Sequence, residues 1–168
     1  MSDHNPAPDF TRSPQIPNAK AAMAAAVSLL TRRPLTRQEL AGKLKQRGFD
    51  AKAVDRAIAG CERLGYLNDD HEASRYLEQL IGKRYGPRYI RAAMKKRGFD
   101  ESAIDQLVTR YAESDREREA ADAALQSRSL RFARETDARK RKEKRYRLLM
   151  NRGFTPMIVA DLLREIGK

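Results

Sequence analysis

The chain says one word three times: "RGFD" at Arg47–Asp50 and again at Arg97–Asp100, then "RGFT" at Arg152–Thr155. Aligned on Phe49, Phe99 and Phe154, the three copies carry apolar residues at the same offsets. Leu44, Met94 and Leu149 stand five positions before; Val54, Ile104 and Val159 five after; Ile58, Val108 and Leu163 nine after. Such self-similarity at spacings of 50 and then 55 residues restricts the chain to a tandem array whose units have room for about three helices each. Nine residues before each Phe, Leu40 and Ile90 extend the apolar stripe and Arg145 interrupts it, so the third unit diverges there.

The word itself reads as a helix end. With Gly48 in the left-handed conformation just past a helix, Phe49 is placed to meet Leu44 in the hydrophobic pair of a Schellman stop. The same holds for Phe99 with Met94 and for Phe154 with Leu149. Asp50, Asp100 and Thr155 then occupy N-cap positions of the next helix, with Pro156 at the first helical position of the third copy. Arg47, Arg97 and Arg152 suit the negative end of a helix, a structural role set against direct binding. Capping-box spacing recurs at Thr36/Glu39, at Ser114/Glu117 and, in acidic form, at Asp69/Glu72.

After a proline-rich stretch, residues 1–20, read as a mobile tail, no strand-like alternation occurs and no proline falls inside a helical pattern. The expectation is an all-α fold of three tandem three-helix, helix–turn–helix-like repeats over residues 21–69, 70–114 and 115–168. The helices are expected at 21–32, 37–47, 51–64, 70–84, 87–97, 101–112, 115–134, 137–151 and 156–166. The break near Thr136 has no Gly or Pro to mark it, and one long helix is its alternative.

Composition narrows the chemistry. Lys and Arg number 35 against 23 Asp and Glu, for a net charge of +12, which suits phosphate-bearing or acidic partners. Residues 115–168 are the most basic stretch, with fifteen Lys and Arg against nine Asp and Glu. A single cysteine, Cys61, cannot form an internal disulfide and sits among core positions of a helix. His4 and His71 stand far apart, which argues against a metal site. No apolar run reaches membrane-spanning length, so a cytoplasmic protein is expected. No phosphate-cradling glycine loop, activated nucleophile or carboxylate pair is evident, and no cofactor is expected. Glu39 and Glu72 are assigned to capping. Tyr66, and Tyr85 with Tyr89 around the Gly86–Pro87 corner, are read first as packing residues, with base stacking the other possibility for the pair.

The segments "LLTRRPLTRQELAGKLKQRGF", "LGYLNDD", "RYGPRYIRAAMKKRGFDESAID" and "RYRLLMNRGFTPMIVADLL" together resemble the RecX family, regulators of the bacterial RecA recombinase, over about residues 24–164. "GYLNDD" followed by "YGPRYIR" is the specific part. The resemblance implies a non-enzymatic protein, a bent and elongated array of three-helix units, that binds RecA filaments on single-stranded DNA. By limiting filament growth or promoting disassembly it would damp ATP hydrolysis, strand exchange and coprotease activity. A monomer with at most weak, non-specific DNA contact is expected. A basic helix–turn–helix module acting on DNA directly is the other reading of the same corners.

Three groups of cations are candidates for the binding surface. The densest is Arg139, Lys140, Arg141, Lys142 and Lys144, in a run where Tyr146, Leu149 and Met150 can turn to the core. The second is Lys83, Arg84, Arg88, Arg91 and Lys95, of which the last three share a helical face. Arg32, Arg33 and Arg37 occupy the corresponding corner of the first repeat.

Overall fold

The computed structural model describes residues 19–166. Residues 1–18 of the expected tail fall outside them, as does His4; its last two residues, Ala19 and Lys20, are instead the start of a helix. Ten helices follow in order: α1 (Ala19–Leu30), α2 (Arg37–Gln46), α3 (Ala51–Arg63), α4 (Asp69–Gly82), α5 (Pro87–Arg97), α6 (Glu101–Ala112), α7 (Asp115–Gln126), α8 (Ser129–Ala133), α9 (Ala138–Asn151) and α10 (Pro156–Glu165). The fold is all-α in tandem repeats. Among the described residues, 19–35 with Leu40–Leu67 form one compact unit, and Thr36–Glu39 with 68–166 form the other.

The expected corners are present. Gly48, Gly98 and Gly153 have φ of 84°, 80° and 81°. In each, the residue after glycine donates its N–H five residues back: Phe49 to Leu44 O, Phe99 to Met94 O, Phe154 to Leu149 O, at 3.3–3.4 Å. This is the outer Schellman bond. All nine aligned apolar residues are buried, because the corner fixes where the helix on each side of it begins, and equal offsets from a fixed corner point the same way. Two further corners use the same bonding without the word: Gly65, and Arg84 at φ 61°.

In the first unit, α1 and α3 pack closely, and Ala22, Ala26, Leu40, Leu44, Val54, Ile58 and Cys61 form the core. Cys61 is fully buried and holds the core place expected of it. The second unit holds two cores. One gathers Leu77, Leu80, Ile90, Met94, Phe99, Ile104 and Val108 from α4–α6; the other gathers Ala121, Leu125, Phe132, Leu149, Phe154, Val159 and Leu163 from α7–α10. They are joined where two turns meet backbone to backbone. Gly86 N–H donates to Arg152 O (2.8 Å) and Arg88 N–H to Gly153 O (3.0 Å).

Several local expectations are corrected. The helix expected over 115–134 is two, α7 and α8, and the chain is then broken again before Asp137, whose carboxylate accepts from Arg139 and Lys140 N–H (2.8 and 3.1 Å). An uninterrupted helix is thereby excluded. Phe132 of α8 enters the core, and the Arg145 guanidinium lies 5.5 Å from its ring centroid, so the arginine that breaks the aligned stripe covers an inserted aromatic. Tyr146 is 47% exposed and Tyr66 55% exposed, and neither packs as expected.

The caps divide in the same way. Thr36 and Glu39 form the reciprocal box, with Glu39 N–H donating to Thr36 Oγ1 (3.1 Å) and Thr36 N–H to Glu39 Oε2 (3.0 Å). Asp50 and Asp100 cap as expected. Asn68, not Asp69, caps α4 by accepting from His71 N–H, and Asp69 instead accepts from Arg37 N–H (2.9 Å). Ser114 makes no side-chain cap, and Glu117 reaches across to accept Thr155 N–H at 2.7 Å. Thr155 holds the N-cap place of α10 without a side-chain cap bond.

Glu117 is 1% exposed, and neither its Oε2 nor Thr155 Oγ1 has a hydrogen-bond partner. Burial pushes its carboxyl above the usual range, outweighing the opposing effect of the Thr155 N–H and of the Thr155 hydroxyl close by, which has no bond of good geometry. A carboxyl whose folded pKa is raised favours folding below the unfolded value and loses that contribution as pH rises through the folded one. Glu117→Gln keeps the acceptor for Thr155 N–H, removes the buried charge and sets an amide donor beside the partnerless hydroxyl. Urea titration at pH 7 should therefore show a gain of about 1 kcal/mol, disappearing near pH 4. A variant less stable than wild type at pH 7 would show that the charge is compensated.

Candidate functional site

Two of the three repeated arginines are tied into the second unit. Arg97 lies between two carboxylates, Nη2 to Glu39 Oε2 at 2.9 Å and Nη1 to Glu72 Oε1 at 3.0 Å, with its guanidinium 4.5 Å from the Tyr76 centroid and 5.2 Å from that of Phe99. Thr36 Oγ1 also donates to Arg97 O (2.9 Å). Glu72 is therefore no helix cap. It is a buried anion held by Arg75 and Arg97; burial alone would raise its carboxyl, but the bonds from both arginines outweigh burial and hold it below the usual range. Arg152 donates Nη1 to the carbonyls of Lys83 and Arg84 (2.8 and 3.0 Å), so it does serve the negative end of a helix, but that of α4. It also stands 5.5 Å from the Tyr85 centroid, and Tyr85 stacks on Tyr89 at 3.8 Å and 9°. This packs the corner, with Tyr89 the more exposed of the two rings.

The candidate cations differ in how committed they are. On α9, Arg139, Lys140 and Lys142 are exposed, and their side chains make no hydrogen-bonded ion pair with any described residue. Arg141 is half-buried and donates to Glu135 O (3.0 Å), and Lys144 pairs with the Glu135 carboxylate. Lys83, Arg84 and Arg88 are exposed around the α4–α5 corner. Arg91 pairs with Asp105 and Lys95 with Glu101 (2.5 Å), so two of the three residues sharing that α5 face are neutralised by α6. Arg32 and Arg33 are exposed after α1 in the first unit, and Arg37 is exposed at the start of α2.

The α9 cluster has an electrostatic peculiarity. Its cations occupy the first turns of a helix with no acidic residue in its first turn, where the macrodipole disfavours positive charge by roughly 0.3–1 kcal/mol per group. Neither packing nor helix formation calls for Arg139, Lys140 or Lys142 there. Sequence reading passed over a second set, Arg128, Arg131 and Arg134, exposed along α8. The available signal was the surplus in repeat spacing, 55 against 50 residues, which equals the length of α8. Among the described residues no group of His, Cys, Asp and Glu could hold a metal ion, and no helix is long and apolar enough to cross a membrane.

Comparison with known proteins places this architecture. A family model described as the first three-helix domain of RecX matches residues 22–61. The regulatory protein RecX of Legionella pneumophila is 33% identical over 146 residues, covering 86% of this chain and 94% of that protein. That of Pseudomonas fluorescens is 34% identical, covering 84% and 89%. The crystal structure of RecX from Lactobacillus salivarius superposes with a TM-score of 0.78 at 20% identity, over 89% of this chain and 96% of that one, a likeness of fold. Near end-to-end relatedness at a third identity, with the same helical array, establishes that the chain belongs to the RecX family of regulatory proteins.

Proposed function

We propose that the chain is a non-enzymatic negative regulator that binds RecA filaments on single-stranded DNA. It limits filament growth or promotes disassembly, and so lowers ATP hydrolysis, strand exchange and coprotease activity. It acts as a cytoplasmic monomer without a cofactor. The observation that carries this reading is kinship along nearly the whole length of proteins named regulatory protein RecX. The exposed cations supply the means. Arg139, Lys140 and Lys142 on α9, with Lys83, Arg84 and Arg88 at the α4–α5 corner and Arg32, Arg33 and Arg37 in the first repeat, offer positive charge to the acidic and phosphate groups of a nucleoprotein surface. Of the same groups, Arg91, Lys95 and Lys144 are engaged in ion pairs and Arg141 in a bond to Glu135 O, so they support this surface more than they supply its free charge. Any contact with DNA is electrostatic, weak and without sequence preference.

The test is charge reversal on α9. Replacing Arg139, Lys140, Arg141 and Lys142 with glutamate puts anions at the positive end of the helix, so circular dichroism should show helicity retained or raised. Inhibition of RecA-catalysed ATP hydrolysis on single-stranded DNA should fall at least about tenfold at low salt, with a smaller loss at high salt. Undiminished inhibition by the folded variant at every salt concentration would remove α9 from the binding surface. Binding to bare single-stranded DNA as tight as to RecA-coated DNA would favour the direct DNA-binding module.

A further inference from the structure

The five-residue surplus of the third repeat is spent on α8, and α8 is built in an unusual way. One side chain, Phe132, is turned inward at 4% exposure, while Leu130 stands 80% exposed between Arg128, Arg131 and Arg134. The side chains of these three arginines make no hydrogen bond or ion pair with any described residue. Arg128 and Arg131 border two adjoining clefts. One, of about 270 Å³, has Phe132 and Leu148 among its lining and is otherwise bounded by Arg128, Arg131, Lys144 and Arg147. The other, of about 640 Å³, includes Leu130 and Arg134.

We propose that α8 and the adjacent part of α9 form a docking site for an acidic protein segment that carries an apolar side chain. The apolar side chain enters the smaller cleft against Phe132 and Leu148, and carboxylates on either side of it pair with Arg128, Arg131 and Arg134. Three features favour this occupant. Every polar side chain lining the smaller cleft is a donor without acceptor capacity, which matches carboxylates, acceptors only when ionised. The surface already accepts such groups from its own chain: Glu135 pairs with Lys144, and Glu143 lies 2.9 Å from Arg147. The cleft also joins apolar lining to an exposed leucine, surface that gains by covering.

A nucleic-acid strand fits the same place less well: its phosphates suit the arginines as carboxylates do, but it has no aliphatic or aromatic side chain to fill the cleft beside Phe132 and Leu148. Stacking needs an open aromatic face; Phe132 is buried beneath Arg145, and Tyr146 does not line the cleft. The site requires no filament, so it stands or falls apart from the regulatory role proposed above.

Fluorescence anisotropy on the full chain tests it with three labelled probes: a short Glu-rich peptide with a central Phe, the same peptide with Ser for Phe, and an oligo(dT) strand. The Phe peptide should bind at least about tenfold tighter than its equally charged Ser counterpart, and Arg128→Ser with Arg131→Ser should remove about that factor while changing oligo(dT) affinity less than about twofold. Equal affinity for the two peptides, or no binding of either, would overturn the proposal by reducing the surface to undirected charge. Loss of oligo(dT) binding in the variant with peptide binding retained would reassign it to nucleic acid. Should the double variant fail to fold, the comparison of the two peptides on the wild type decides.

Discussion

Gly153→Ala is expected to cost about 4 kcal/mol, measured as a shift in urea midpoint, because three penalties coincide at that position. Gly153 has φ 81°, which a side chain tolerates poorly. A Cβ there would lie 2.3 Å from the backbone nitrogen of Tyr89, where no flexible side chain can move aside. Separating the turns to make room would strain both bonds that join them, Gly86 N–H to Arg152 O and Arg88 N–H to Gly153 O. Two other glycines isolate these causes. Gly86 has an ordinary φ of −86°, but its Cβ would meet Phe154 N at 2.3 Å, so Gly86→Ala carries the steric part, about 2–3 kcal/mol. Gly48 has φ 84° with nothing within 4 Å of its Cβ, so Gly48→Ala carries the backbone part alone, about 1–2 kcal/mol. The ranking Gly153 above Gly86 above Gly48 is the expected result. A Gly153→Ala no worse than Gly48→Ala would mean that the turns separate freely.

Arg97→Ala is expected to cost about 3–4 kcal/mol, the lower part of the range for removing one partner of a buried ion pair. Its guanidinium serves Glu39 and Glu72 and stacks on Tyr76, with side-chain exposures of 16%, 23% and 7% for Arg97, Glu39 and Glu72. Arg97→Lys keeps the charge but loses the planar fork that reaches both carboxylates, and should recover about half of the loss. The pH dependence provides a second measurement. Glu72, its carboxyl held below the usual range in the folded state, contributes stability that is present above the unfolded carboxylate value and is lost as pH falls through the folded one. The gap between wild type and Arg97→Ala should therefore narrow in acid. A gap constant from pH 7 to pH 3 would assign the arginine's contribution to stacking on Tyr76 and Phe99 instead of to charge.

Much of the local structure was legible in the sequence because its causes are neighbours. A Schellman corner depends on a glycine and on two apolar residues five apart, so the tripled word located three helix ends. From those fixed points the nine buried positions of the repeat followed. The caps at Asp50 and Asp100 and the box of Thr36 with Glu39 likewise bond within three residues.

Tertiary structure decided whatever depends on residues that arrive from a distance. Glu39 closes its box with Thr36, yet it is Arg97, 58 positions from Glu39 and 25 from Glu72, that joins the two carboxylates, and Glu72 caps nothing. Glu117 stands where a box would place it and is drawn to Thr155 N–H, 38 positions on. Gly86 lacks the word altogether, and only the approach of Gly153 makes its missing side chain necessary. Among the cations, composition gave their number and helical spacing gave their faces. Which of them stay uncompensated depended on where the acidic partners of α6 and of the turn before α9 came to lie: Asp105 and Glu101 neutralise Arg91 and Lys95, Glu135 engages Lys144, and Arg128, Arg131 and Arg134 are left to solvent.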